Sequence, residues 1–91
     1  MLTYDLAPAS VCRVHLDPQP AWIIERRRAI GKLVQLHREH ANLSQEQLGL
    51  SAEVTRLTVQ RIESGATDAR VSWLLRIAKT LDIPVDRFFR D

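Results

Sequence analysis

The stretch VTRLTVQRIESG, Val54 to Gly65, sets two arginines and a glutamine among apolar residues at helical spacing. Val54, Val59 and Ile62 fall where one side of a short helix can be buried, leaving Thr55, Arg56, Leu57, Gln60 and Arg61 on the outward flank. Arginine can make two hydrogen bonds to guanine and glutamine two to adenine, so an outward face of this kind suits the major groove of DNA. Leu57 has no donor or acceptor; it would meet a thymine methyl or a protein partner. Competing chemistry is poorly supplied. There is no serine in a strained elbow and no glycine-rich phosphate loop, and Cys12 lies in a proline-bounded stretch without an identifiable catalytic base, so no enzyme activity is expected. His37 and His40 stand one turn apart without a further ligand, so neither a metal site nor a cofactor is expected.

The elements that would hold this face follow from hydrophobic spacing. Three of the four prolines precede Trp22, so residues 1–20 read as an arm, flexible or forming a short dimerising strand, and residues 21–91 as the folded domain. Within the arm, SVCRVHL alternates, with Cys12, Val14 and Leu16 on one side. Five helical blocks follow. The first runs from about Trp22 to Ala41, with Ile23, Ile30, Val34 and Ala41 as its core stripe. Ser44 is a natural N-cap for a second helix from Gln45 to about Ser51, and Thr55 for a third that Gly65 ends. A fourth runs from about Ala69 or Val71 to Leu81 with Asp68 as its expected cap, and Pro84 opens a short fifth helix to about Phe89. The second and third helices bury Leu48, Ala52, Val54, Val59 and Ile62 between them and the rest of the core.

With 91 residues the chain has room for one modest core. A formal net charge of +2 and a sequence pI near 9.2 give a mild bias toward anionic partners. A single cysteine fits a reducing compartment, and no apolar run approaches the length of a membrane span, so a cytoplasmic protein is expected.

Three blocks, IGKLVQLHREHANLSQEQL, VTRLTVQRIESG and LLRIAKTLDIPVDRFF, together resemble the XRE family of helix-turn-helix regulators, similar to phage Cro and lambda-type repressors. The resemblance spans roughly Ile30 to Phe89. It implies an all-α, compact five-helix bundle and a sequence-specific DNA-binding regulator, a repressor acting as a homodimer on an inverted repeat with half-sites about 34 Å apart. It implies that Arg56, Leu57 and Arg61 face base edges, where Gln60 on the same outward flank joins them as a base-reading candidate, that Gln45, Thr55 and Thr58 meet the phosphate backbone, and that Arg38 and Glu63 form a buried structural salt bridge. The sequence departs from the family pattern at Gly49, where alanine is usual, at Glu53, where the tight turn usually has glycine, and at Ala69 and Arg70 before the fourth helix.

One feature of the first helix is left over. Trp22, Ala29, Leu33 and Leu36 form a second apolar stripe about 90° from the core stripe, at about 100° per residue. With Trp73 and Phe89, the residues Trp22, Leu33 and Leu36 are a candidate surface for the arm, a second subunit or a partner protein. The alternative function is therefore an antitoxin-type module that neutralises a protein partner and also binds DNA.

Overall fold

The computed structural model describes residues 19–90. The alternating segment of the arm, Cys12 to Leu16, lies outside the described residues. Four α-helices and one 3-10 helix make up the described chain: α1 Ala21–His40, α2 Gln45–Ala52, α3 Arg56–Ser64, α4 Val71–Leu81 and the 3-10 helix Val85–Phe89. The expected fifth α-helix is thus a 3-10 turn. Pro84 stands before it as its cap, at φ −68° and ψ 144°, rather than in its first turn. Its extended backbone fixes where the chain turns back toward the core.

Helix ends account for the boundaries. Ser44 and Gln47 form a reciprocal capping box at the start of α2: the Gln47 N–H donates to Ser44 Oγ at 3.0 Å and the Ser44 N–H donates to Gln47 Oε1 at 2.8 Å. Thr55 Oγ1 accepts from the Thr58 N–H at 3.0 Å and caps α3, and Gly65 ends that helix with φ 78°. Helix α4 begins at Val71, the later of the two expected starts, but its expected cap is not found. Arg70 occupies the cap position and no side chain satisfies the first N–H groups, so Asp68 is not the cap. Arg70 instead lies over the Trp73 ring, 5.3 Å from its centroid.

Helix α1 packs on α3 and the 3-10 helix, while α2 packs on α3 and α4. Phe88, Leu48, Ile77, Val34 and Val59 are fully buried where these elements meet, each contributing on the order of 1.5–3 kcal/mol by leaving water. Of the α1 core stripe, Val34 is buried and Ile30 packs against the core, but Ala41 is exposed because α1 ends at His40. Gly31 makes the α1–α3 contact feasible. A Cβ there would meet the carbonyl oxygens of Ile62 and Glu63, the latter at 2.6 Å, and backbone atoms of a helix cannot move aside.

The turn between α2 and α3 explains two of the departures from the family pattern. Glu53 sits in the left-handed region at φ 62°, ψ 41°, a conformation that costs an L-residue roughly 1–2 kcal/mol. Arg76 of α4 meets this turn from outside, its Nη1 donating to the Glu53 carbonyl at 3.3 Å and lying 3.7 Å from the Glu53 carboxylate. Gly49 lies beneath it, where a Cβ would come within 2.9 Å of the Val54 carbonyl oxygen. The glycine that weakens α2 therefore admits the turn. Glu53→Gly relieves the left-handed strain but enlarges the freedom of the unfolded chain; the net expectation is a gain of about 0.5–1 kcal/mol in urea denaturation.

Candidate nucleic-acid interface

Helix α3 is nine residues long and buries Val59, Ile62 and Glu63. That pattern turns Arg56 and Gln60 outward as one stripe, four residues apart, and Leu57 and Arg61 as the adjoining stripe. All four are exposed, Leu57 to 50%. Neither Arg56 nor Arg61 forms an ion pair among the described residues. Two guanidinium groups and an amide thus stand on one small face with their donors unspent.

The three residues expected to meet phosphate have other duties. Thr55 and Thr58 bond to each other, their hydroxyl oxygens 2.8 Å apart, as part of the α3 cap. Gln45 is half-buried, and its Nε2 donates to Glu63 Oε1 at 3.0 Å. That bond holds the Gln45 amide against α3 and leaves its second N–H, with the unpaired N–H groups of the first turn of α2, at the helix end where an anion is favoured.

Behind this face lies a charged core. Arg38 and Glu63, 9% and 8% exposed, form a two-pronged bridge: Arg38 Nε donates to Glu63 Oε2 at 2.7 Å and Nη2 to Oε1 at 3.2 Å. Arg38 Nη1 donates to the Leu43 carbonyl at 2.7 Å, tying in the α1–α2 loop. The hydrogen bond to Glu63 raises the Arg38 pKa above its ordinary value, outweighing the effect of burial, so the guanidinium stays charged.

The apolar residues singled out for partner contact divide. Trp22 is 65% exposed, and Leu36 and Phe89 are about half exposed. Leu33 and Trp73 are partly buried, packed against the core. His37 faces inward, its ring centroid 6.2 Å from that of Phe88. Three exposed apolar side chains went unnoticed in the sequence, Leu50, Val71 and Leu75. Val71 and Leu75 lie one turn apart on α4, a spacing that would have revealed them had both faces of that helix been counted.

This bundle, with two short capped helices set around a left-handed turn and an outward donor face on the second, defines a helix-turn-helix protein. The chain belongs to the helix-turn-helix family, whose model matches residues 34–88. It is 36% identical over 62 residues to an uncharacterized HTH-type transcriptional regulator of Sinorhizobium medicae, and equally to one of Rhizobium meliloti. The match takes in 68% of this chain and 45% of theirs, so the chain spans less than half the length of these curated relatives. Among solved structures it resembles the restriction-modification controller protein C.AhdI from Aeromonas hydrophila, with 27% identity and a TM-score of 0.68 over 69% of this chain and 96% of that one. The clp gene regulator ClgR from C. glutamicum, at 17% identity and a TM-score of 0.65 over 79% of this chain and 86% of that one, shares the fold.

The ion pair provides a direct test of the scaffold. Glu63→Ala leaves the Arg38 charge buried without its partner and should cost about 3–5 kcal/mol in urea denaturation. Gln45→Ala removes one hydrogen bond to a charged group and should cost about 1.5–3 kcal/mol or less.

Proposed function

We propose that this chain binds double-stranded DNA sequence-specifically and regulates transcription, with α3 in the major groove. The observation that carries this reading is the exposed α3 face, on which Arg56, Gln60 and Arg61 keep their donors free while the opposite side of the helix is fixed by the core. Arg56 and Arg61 pair with guanine edges or with phosphates, Gln60 reads adenine and Leu57 packs on a thymine methyl. Gln45, with the first turn of α2, and the Thr55 and Thr58 hydroxyls meet the flanking phosphates. A homodimer places two α3 helices in successive major grooves about 34 Å apart and so selects an inverted repeat. Repression is the economical mode, since a dimer seated on a promoter excludes polymerase without any further surface. The likeness to a restriction-modification controller protein supports a regulatory role, and a cytoplasmic location goes with that reading.

A second reading rests on the exposed Trp22, Leu36 and Phe89: a protein partner of the antitoxin-target kind is held there while α3 binds DNA. Co-purification of a defined heteromeric complex from the native host distinguishes it from a self-sufficient dimer.

Selection from a random-sequence DNA pool should enrich an inverted repeat, and titration of the winner against salt should give a slope reporting several displaced counterions. Arg56→Ala or Arg61→Ala should then lose about 1–3 kcal/mol and relax preference at one base position. Equal weakening on every sequence would refute base reading for that residue.

A further inference from the structure

A cavity of about 180 Å³ opens beside α1, between the end of α3 and the start of α4. Ile30, Ile62 and Leu74 form its walls, and Val71 and Phe89 stand at it with 70% and 49% of their surfaces exposed. Leu75, one turn beyond Val71, continues the exposed apolar row along α4. A cavity of about 150 Å³ accommodates a benzene molecule, so this one takes a single aromatic ring. Phe89 carries such a ring on the same face. Two charged residues, Arg27 and Asp68, also line the cavity. Arg27 Nη2 donates to the Gly65 carbonyl at 2.9 Å, and neither residue belongs to an ion pair among the described residues. One face thus holds a hole, a ring of matching size, a cation and an anion.

We propose that this face pairs with the same face of a second copy of the chain, each Phe89 ring entering the other's cavity. The inference rests on the homodimer put forward above and names the surface that forms it. Under a twofold axis, if one residue of a patch meets a second, that second meets the first in return. A patch that holds both members of each pair therefore completes itself. The ring of one copy fills the hole of the other, and Arg27 of each copy faces Asp68 of the other, which keeps like charges apart. An unrelated partner would have to bring a ring, a cation and an anion in that same arrangement. Arg70, the next cation in the chain after Asp68, lies over the Trp73 ring and does not line the cavity. Helix α3 meets the cavity through Ile62, on its buried side, so the pairing leaves the outward donor face uncovered. Three exposed apolar side chains offer less than the roughly 800 Å² per partner of a standard interface, so the dimer is weak and reversible without DNA.

Sedimentation equilibrium of the full chain without DNA reads the pairing independently of base recognition. The expected result is a reversible monomer–dimer equilibrium in the micromolar range. Phe89→Asp and Val71→Asp, both at exposed positions, should each weaken it about tenfold or more with the far-ultraviolet circular dichroism unchanged. Asp68→Lys, which sets a second cation against Arg27, should weaken it too, whereas Leu36→Asp, on α1 outside the cavity lining, should not. In an equal mixture of ¹³C-methyl-enriched and unenriched chains, isotope-filtered nuclear Overhauser contacts should join the Phe89 ring of one copy to the Ile30 and Leu74 methyls of the other. A wild-type chain that stays monomeric at high micromolar concentration would overturn the proposal. So would a dimer that keeps its affinity in both Phe89→Asp and Val71→Asp, or one that Leu36→Asp disrupts. Either result leaves the α3 face to be judged by the DNA selection, and a failed selection with an intact dimer refutes base reading alone.

Discussion

A single carboxylate organises the interface. Glu63 receives two donors from Arg38 of α1 and one from Gln45 at the start of α2, while its own backbone belongs to α3. The three helices that must hold a fixed geometry to present one face to a ligand therefore converge on a single charged group. Such a pair is a poor source of net stability, because two ions must shed water to meet. Its value here is directional. An apolar cluster of the same volume would tolerate rotation and sliding of α3, whereas a two-pronged guanidinium-carboxylate bond fixes distance and orientation. The bond from Arg38 to the Leu43 carbonyl extends that fixity to the loop from which α2 starts.

Close backbone approach works with this pair. Gly31 lets α1 lie against the carbonyls of Ile62 and Glu63, so the helix that carries Arg38 meets α3 at the level of its partner. At the other end of the motif, Gly49 makes room for a turn whose Glu53 is held in a left-handed conformation. The arrangement exchanges a glycine in the turn for one in the helix and lets Arg76 grip the turn from α4. Because that contact is exposed, it adds little stability; its effect is to link the turn's position to α4.

Much of this was legible in the sequence, for physical reasons that can be named. The ends of α2 and α3 were readable because Ser44, Thr55 and Gly65 each satisfy a local backbone requirement that does not depend on the rest of the fold. The cap of α4 was not, because no side chain fills that role and Arg70 lies over Trp73. The 3-10 geometry of the last turn was equally hidden, since periodicity over five residues cannot separate it from an α-helix. Exposure of the α3 face followed from the burial of Val59 and Ile62. The bond from Gln45 to Glu63 did not, as it joins residues 18 positions apart through a meeting of helices that no local pattern encodes. The partial burial of Leu33 and Trp73 was hidden for a related reason: spacing gives the angle of a side chain about its helix, but its burial depends on how far the neighbouring element reaches.

The separation of duties on α3 has a consequence for how such a protein can change. Val59, Ile62 and Glu63 hold the helix, whereas Arg56, Leu57, Gln60 and Arg61 are exposed and add little to the core. Exposed substitutions away from caps and buried pairs usually alter stability by no more than about 0.5 kcal/mol. The outward four can therefore be exchanged almost independently of the fold, and a lineage carrying this scaffold can vary that face without passing through an unfolded ancestor.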